Sequence, residues 1–167
     1  MITRYLLALA ALALVPAAGL RADPEYPHMG QDIYDVHADG EAQVAAAVAT
    51  AAVTNKVVLV EIGANWCIWC RRLHTVFETD PAVSQQLKDG YVVVMIDVNG
   101  RHGEKRNAEL NARLGNPSAK GIPDIVLLDS TGKQLMTKDT SELEDGEGYS
   151  LPKIKAFLAQ WSPKAHP

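Results

Sequence analysis

Hydrophobic and polar positions alternate along the chain with two different periods, and the changes between them mark the elements. Tyr5 to Val15 is an uncharged run dominated by Leu and Ala. Asp23 to Gly30 carries Pro24 and Pro27 and predicts an extended arm, and the weak alternation of Ile33 to His37 predicts a short edge strand. Asp39 is placed to cap an Ala-rich helix through about Val53, with Asn55 ending it. The β-branched run Val57 to Ile62 predicts a strand buried on both faces. Arg71 to Phe77 is amphipathic at helical spacing, and Asp80-Pro81 opens another helix to about Leu87, with the proline at its first position. Asp89-Gly90 reads as a turn into a second central strand, Tyr91 to Val98.

Beyond a polar loop at Asn99 to Gly103, a helix is expected around Glu104 to Leu114, broken by Asn116-Pro117-Ser118. Ile125 to Leu128 and Gln134 to Thr137 form two strands joined by the turn Ser130-Thr131-Gly132-Lys133. An acidic loop, Lys138 to Gly148, leads to a last helix in which Leu151, Ile154, Leu158 and Trp161 recur at core-packing spacing. The order β-α-β-α-β-α-β-β-α predicts an α/β fold: a central mixed sheet of four to five strands with helices on both faces.

Composition narrows the function. At 167 residues, 47% hydrophobic and 22% charged, the chain suits one domain with a sizeable core. Sixteen Lys and Arg against twenty Asp and Glu give a net charge of −4, without the cationic field that nucleic acid or an anionic membrane surface requires. With 6% aromatic residues, stacking platforms for bases are not expected either.

The first 22 residues read as an address and not as part of the fold. Arg4 supplies a positive start, the apolar run follows, and Pro16 precedes the small residues Ala17, Ala18 and Gly19, the layout of a secretory signal peptide. The run is too short for an ordinary spanning helix across a hydrocarbon core of ~30 Å, so no membrane span is expected after cleavage. The expected organisation is a signal peptide at 1–22, an extended arm at 23–38, a domain at 39–162 and a tail at 163–167, in the periplasm or secreted.

Export makes the two cysteines informative. Both lie in Cys67-Ile68-Trp69-Cys70. A bridge across two residues closes almost no loop, so it removes little entropy from the unfolded chain and is a poor staple. In an oxidising compartment, a pair reserved for redox chemistry is the better account.

A strand running into Trp66-Cys67-x-x-Cys70, then a helix, resembles the thioredoxin superfamily over roughly Gly40 to Trp161. Asn65 to Arg71 matches that family's x-W-C-x-x-C-K/R, Gly121-Ile122-Pro123 matches its G-[ITV]-P loop, and Asp129 to Lys133 is like its terminal hairpin. Within the superfamily, Cys70 to Val83 is most similar to the C-terminal periplasmic domain of DsbD-type thiol:disulfide interchange proteins and their small secreted relatives.

The resemblance implies roles. Cys67 at a helix N-terminus would ionise readily and attack a substrate disulfide, and Cys70, one turn deeper, would resolve the mixed disulfide. The Ile122–Pro123 peptide should be cis and present the backbone of Ile122 to an extended substrate. Glu61, six residues before Cys67, stands where the family often carries a buried acid, and a carboxyl there can accept the Cys70 proton. Trp66 should shield the thiolate and pack on the loop, and Trp69 should form part of the substrate surface or narrow access to it. Arg71 and Arg72 add positive charge near the site or lie on a solvated helix face, and His74 shares the helix face of Cys70.

The expected activity is that of a thiol:disulfide oxidoreductase, in the reductase or interchange direction, acting as a monomer on protein thiols and disulfides and recharged by an electron-donor protein. No organic cofactor and no metal are expected. The alternatives are a disulfide oxidase or isomerase, or a copper-binding chaperone of the same fold using the same cysteines. Against the last, two thiolates fall short of the four ligands of a structural zinc site, and His28, His37, His102 and His166 follow no ligand spacing.

Overall fold

The computed structural model describes residues 24–163. The expected signal peptide and residues 164–167 of the expected tail lie outside the described residues. Four strands form the central sheet: β1 (Val57–Gly63), β2 (Tyr91–Asp97), β3 (Asp124–Leu128) and β4 (Gln134–Asp139), in the order β2-β1-β3-β4. β1 runs parallel to β2 and antiparallel to β3, and β3 runs antiparallel to β4, so the sheet is mixed.

Alternation along the strands divides the core in two. Val58, Val60 and Ile62 of β1, with Val126 and Leu128 of β3, pack under α1 (Gly40–Thr54) and α4 (Ala108–Arg113). Val57 and Leu59, with Ile125 and Leu127, face the opposite layer of α2 (Ile68–Thr79), α3 (Pro81–Gly90) and α5 (Leu151–Gln160). Leu59, Leu73 and Leu127 are fully buried there, and truncating one such side chain to Ala typically costs about 2–5 kcal/mol. Glu61 shares the parity of Val57 and Leu59, so the pleat turns its carboxyl toward the α2 face.

Side-chain caps set the helix ends. Asp39 accepts the Glu41 and Ala42 N–H groups, and Asn55 closes α1 in the left-handed conformation. Asp80 ends α2 and opens α3, accepting from Ala82 and Val83 with Pro81 at the first position. No helix among the described residues is long and apolar enough to cross a membrane.

Several expectations are corrected. Ile33 to His37 is not an edge strand, so the sheet has four strands and β2 is an edge. The backbone of Ile33 and Tyr34 is taken up by a side chain instead: Asn65 Oδ1 accepts both N–H groups at 2.9 Å, and its Nδ2 donates to the Tyr34 carbonyl at 3.0 Å. The preceding arm includes a short 3-10 turn at Pro27–Met29 and is not extended throughout. The helix expected from Glu104 starts only at Ala108, because Lys105 bridges back to Asn99 and Arg106 is held by Asp97, Glu25 and Glu104. Asp89 and Gly90 belong to the end of α3. The acidic loop contains a 3-10 turn, Thr140–Leu143, and a two-stranded ribbon of β5 (Glu144–Asp145) and β6 (Gly148–Tyr149). In α5, Ile154 and Leu158 are buried as expected, but Leu151 is exposed and Phe157 takes the remaining core position.

Candidate active site

β1 ends in a turn in which the Cys67 N–H donates to the Ala64 carbonyl, and α2 begins one residue later. Cys67 is therefore the cap of α2, and its Sγ accepts the Cys70 N–H at 3.1 Å. The two cysteines form a disulfide with their Cα atoms 5.2 Å apart. Opposite them, the Ile122–Pro123 peptide is cis, and the Ile122 carbonyl oxygen lies 3.4 Å from Cys67 Sγ. The Thr140 hydroxyl donates to the Pro123 carbonyl and ties this loop to the β4–β5 connection.

Cys67 opens onto a groove of about 790 Å³ bordered by Trp66, Ile68, Trp69, Asn99 and Ile122. Trp66 Nε1 donates to the backbone and side-chain oxygens of Asn99, both at 3.0 Å, while the Arg101 guanidinium stacks 4.1 Å above its ring. Trp69 meets Tyr149 edge-on at 5.6 Å and is covered on another side by Arg72 at 4.6 Å. Ile68, between the cysteines, is 49% exposed. An extended apolar segment presented to Cys67 would meet these side chains beside Ile122.

Cys70 faces inward. It is fully buried with Tyr34, and Met95 packs against the same cluster. Glu61 is also fully buried, and burial raises its carboxyl from the ordinary 4.5 to about 7. The Tyr34 hydroxyl donates to Glu61 Oε1 at 2.7 Å, which opposes that rise in part, while Oε2 has no partner among the described residues. Burial and the neighbouring Glu61 push the Tyr34 hydroxyl well above its ordinary value.

The structure thus gathers Cys67, Trp66, Trp69 and Ile122 around one groove, with Pro123 next to Ile122 in the cis loop, and leaves Cys70 and Glu61 buried behind it. Arg71 is neither a solvated cation nor aimed at the cysteines: Nε donates to the Asn65 carbonyl at 2.9 Å and Nη1 to the Gln31 carbonyl at 2.7 Å, which pins the arm. His74 is half-buried along α2. Among the described residues, no group of three or more His, Cys, Asp or Glu side chains is arranged to hold a metal ion. Sequence reasoning missed Tyr34 and Asn65. The only trace of Tyr34 was an aromatic residue in a weakly alternating stretch, which signals a strand and not a residue delivered to a buried site.

Residues 39–130 match the model of the thioredoxin-like family. The chain belongs to that family. Its four-stranded mixed sheet flanked by helices is the thioredoxin-like fold, and it is a disulfide oxidoreductase of this family with Cys67 and Cys70 as the CxxC pair. It is similar to the disulphide isomerase from Xylella fastidiosa Temecula1, with 35% identity, a TM-score of 0.69, and coverage of 78% of this chain and 96% of that one. The DsbD C-terminal domain of Neisseria meningitidis in the oxidised form shares the fold, at 22% identity and a TM-score of 0.51, covering 75% of this chain and 98% of that one. Over 114 residues, 68% of this chain, it is 27% identical to the thiol:disulfide interchange protein DsbD of Haemophilus ducreyi. The chain spans 18% of the length of that relative.

Proposed function

We propose that this chain is an exported dithiol reductase or interchange protein that passes electrons from a donor protein to the disulfides of protein substrates. The observation that carries the reading is the asymmetry of the pair: Cys67 caps a helix at the mouth of a groove, and Cys70 lies sealed behind it. In the reduced protein, the helix N-terminus and the Cys70 N–H stabilise a thiolate on Cys67. That thiolate attacks a substrate disulfide; a bond forms from Cys67 to one substrate sulfur and the other leaves as a thiolate. Cys70, deprotonated with Glu61 as base, then attacks Cys67 Sγ, closes the internal disulfide and releases the second substrate sulfur. Ile122 presents backbone to the substrate chain, and Trp66 and Trp69 form the walls beside it.

The signal-like segment at 1–22 and the likeness to proteins named DsbD support a periplasmic or secreted location. We take the arm as 23–38 and the domain as 39–162, active as a monomer. The reducing direction rests on the same likeness; a disulfide isomerase among the similar structures keeps isomerisation as the second reading.

Two experiments test this. Cys70→Ala should accumulate mixed disulfides with protein substrates and Cys67→Ala should not; capture by Cys67→Ala alone would reverse the roles. Equilibration against a glutathione buffer should give a potential near that of thioredoxin, about −270 mV, whereas a value near about −120 mV would make the protein an oxidant.

A further inference from the structure

Tyr34 reaches the pair from outside the sheet. Asn65 clamps its backbone, and its ring lies over the end of β1, where Gly63 leaves room for it. A methyl group built on Gly63 would sit 2.1 Å from the Tyr34 hydroxyl and 2.9 Å from Cys70 Sγ. Those two atoms are therefore within about 5 Å of each other, and the same hydroxyl is bonded to Glu61 Oε1 at 2.7 Å. We propose that Tyr34 is the proton relay between the resolving cysteine and the buried carboxylate. The proposal rests on Glu61 being the base.

During resolution, the Cys70 thiol gives its proton to the Tyr34 oxygen while the Tyr34 O–H passes its own proton to Glu61 Oε1. The electron pair left on Cys70 sulfur forms the bond to Cys67 Sγ, and the pair of the broken Cys67–substrate bond leaves on the substrate sulfur. Tyr34 ends neutral, its new O–H aimed at the sulfur it has just served. Its raised pKa fits this: a phenol that resists ionisation passes protons in a concerted step and does not store the charge. The other titratable groups facing the pair are Asp97, beyond Tyr34, and Tyr149 of β6, with Glu144 and Asp124 facing Tyr149 in turn. None of these is hydrogen-bonded to the Tyr34 hydroxyl, whose bond goes to Glu61.

The test follows the concentration-independent resolution phase after rapid mixing of the reduced protein with a fluorescent peptide disulfide, from pH 5.5 to 9. Glu61→Gln should lower the plateau rate above pH 8 at least tenfold. Tyr34→Phe, which keeps the ring in place, should lower the same plateau by a similar factor. Removal of a hydrogen bond alone would move the midpoint upward and leave the plateau intact, and that result would overturn the relay in favour of direct transfer to Glu61 Oε2. An unchanged plateau in Glu61→Gln would instead overturn the role of Glu61 itself. A proton inventory on the unmodified protein needs no variant: a curved dependence on deuterium fraction supports two protons in flight, and a linear one overturns the relay.

Discussion

The two sulfurs of one disulfide stand in contrasting surroundings. On the Cys67 side, partly exposed rings and an apolar Ile68 border a wide groove, and the polar partners are the Asn99 oxygens and the guanidinium groups of Arg72 and Arg101. On the Cys70 side, a buried phenol and a buried carboxyl share one hydrogen bond away from the surface. The difference is chemical as well as geometric. A nucleophile needs access and a field that favours its charge, whereas a resolving thiol needs a base close at hand and protection from outside partners. Four residues of sequence supply both environments because a helix turn carries the second cysteine beneath the end of β1 while the first stays at the cap.

The sharpest way to break the contrast is to titrate the buried side. Glu61 keeps its proton to about pH 7 in the folded state and loses it near 4.5 in the unfolded chain. Between those values the folded state binds the extra proton, so stability falls as pH rises across that window and is flat above it. The change amounts to about 3 kcal/mol. Denaturant midpoints of the oxidised protein at pH 5 and pH 8 should differ accordingly, and Glu61→Gln should remove most of the difference. Equal pH dependence in the two proteins would place the carboxyl in contact with water.

A smaller disturbance comes from filling the space that Tyr34 occupies. Gly63→Ala puts a carbon where the phenol now lies, and an overpacked site of this kind costs about 1–3 kcal/mol. The arm should loosen, seen as faster amide exchange at Ile33 and Tyr34 with the strands of the sheet still protected. The smallest effect belongs to the open side. Arg101→Ala removes a cation stacked on an accessible ring, worth about 0.5–1 kcal/mol, and should alter Trp66 fluorescence with little change in melting temperature.

Much of this organisation is legible in the amino-acid sequence. Asp39, Asp80 and Asn55 are local signals, and each caps the helix end it was expected to cap. The Val57 to Ile62 run could be read as a buried strand because both helical layers demand apolar residues of it. The placement of Glu61 in that run is informative for the same reason: a carboxyl there is either buried for chemistry or stands at the strand end facing solvent, and it is buried. What could not be read is the arm. Its course depends on Asn65, 31 residues beyond Tyr34, offering a carboxamide that imitates a neighbouring strand, and side-chain capture at such range leaves no periodic trace. Arg71 was opaque likewise, since a guanidinium bonded to the Asn65 and Gln31 carbonyls looks in sequence like any surface cation.

The division of labour between the sulfurs is tested most directly by brief alkylation of the fully reduced protein with iodoacetamide at pH 7, read by peptide mass spectrometry. A single adduct on Cys67, with Cys70 modified only after denaturation, is the predicted result. Equal labelling of both cysteines, or preferential labelling of Cys70, would contradict the account.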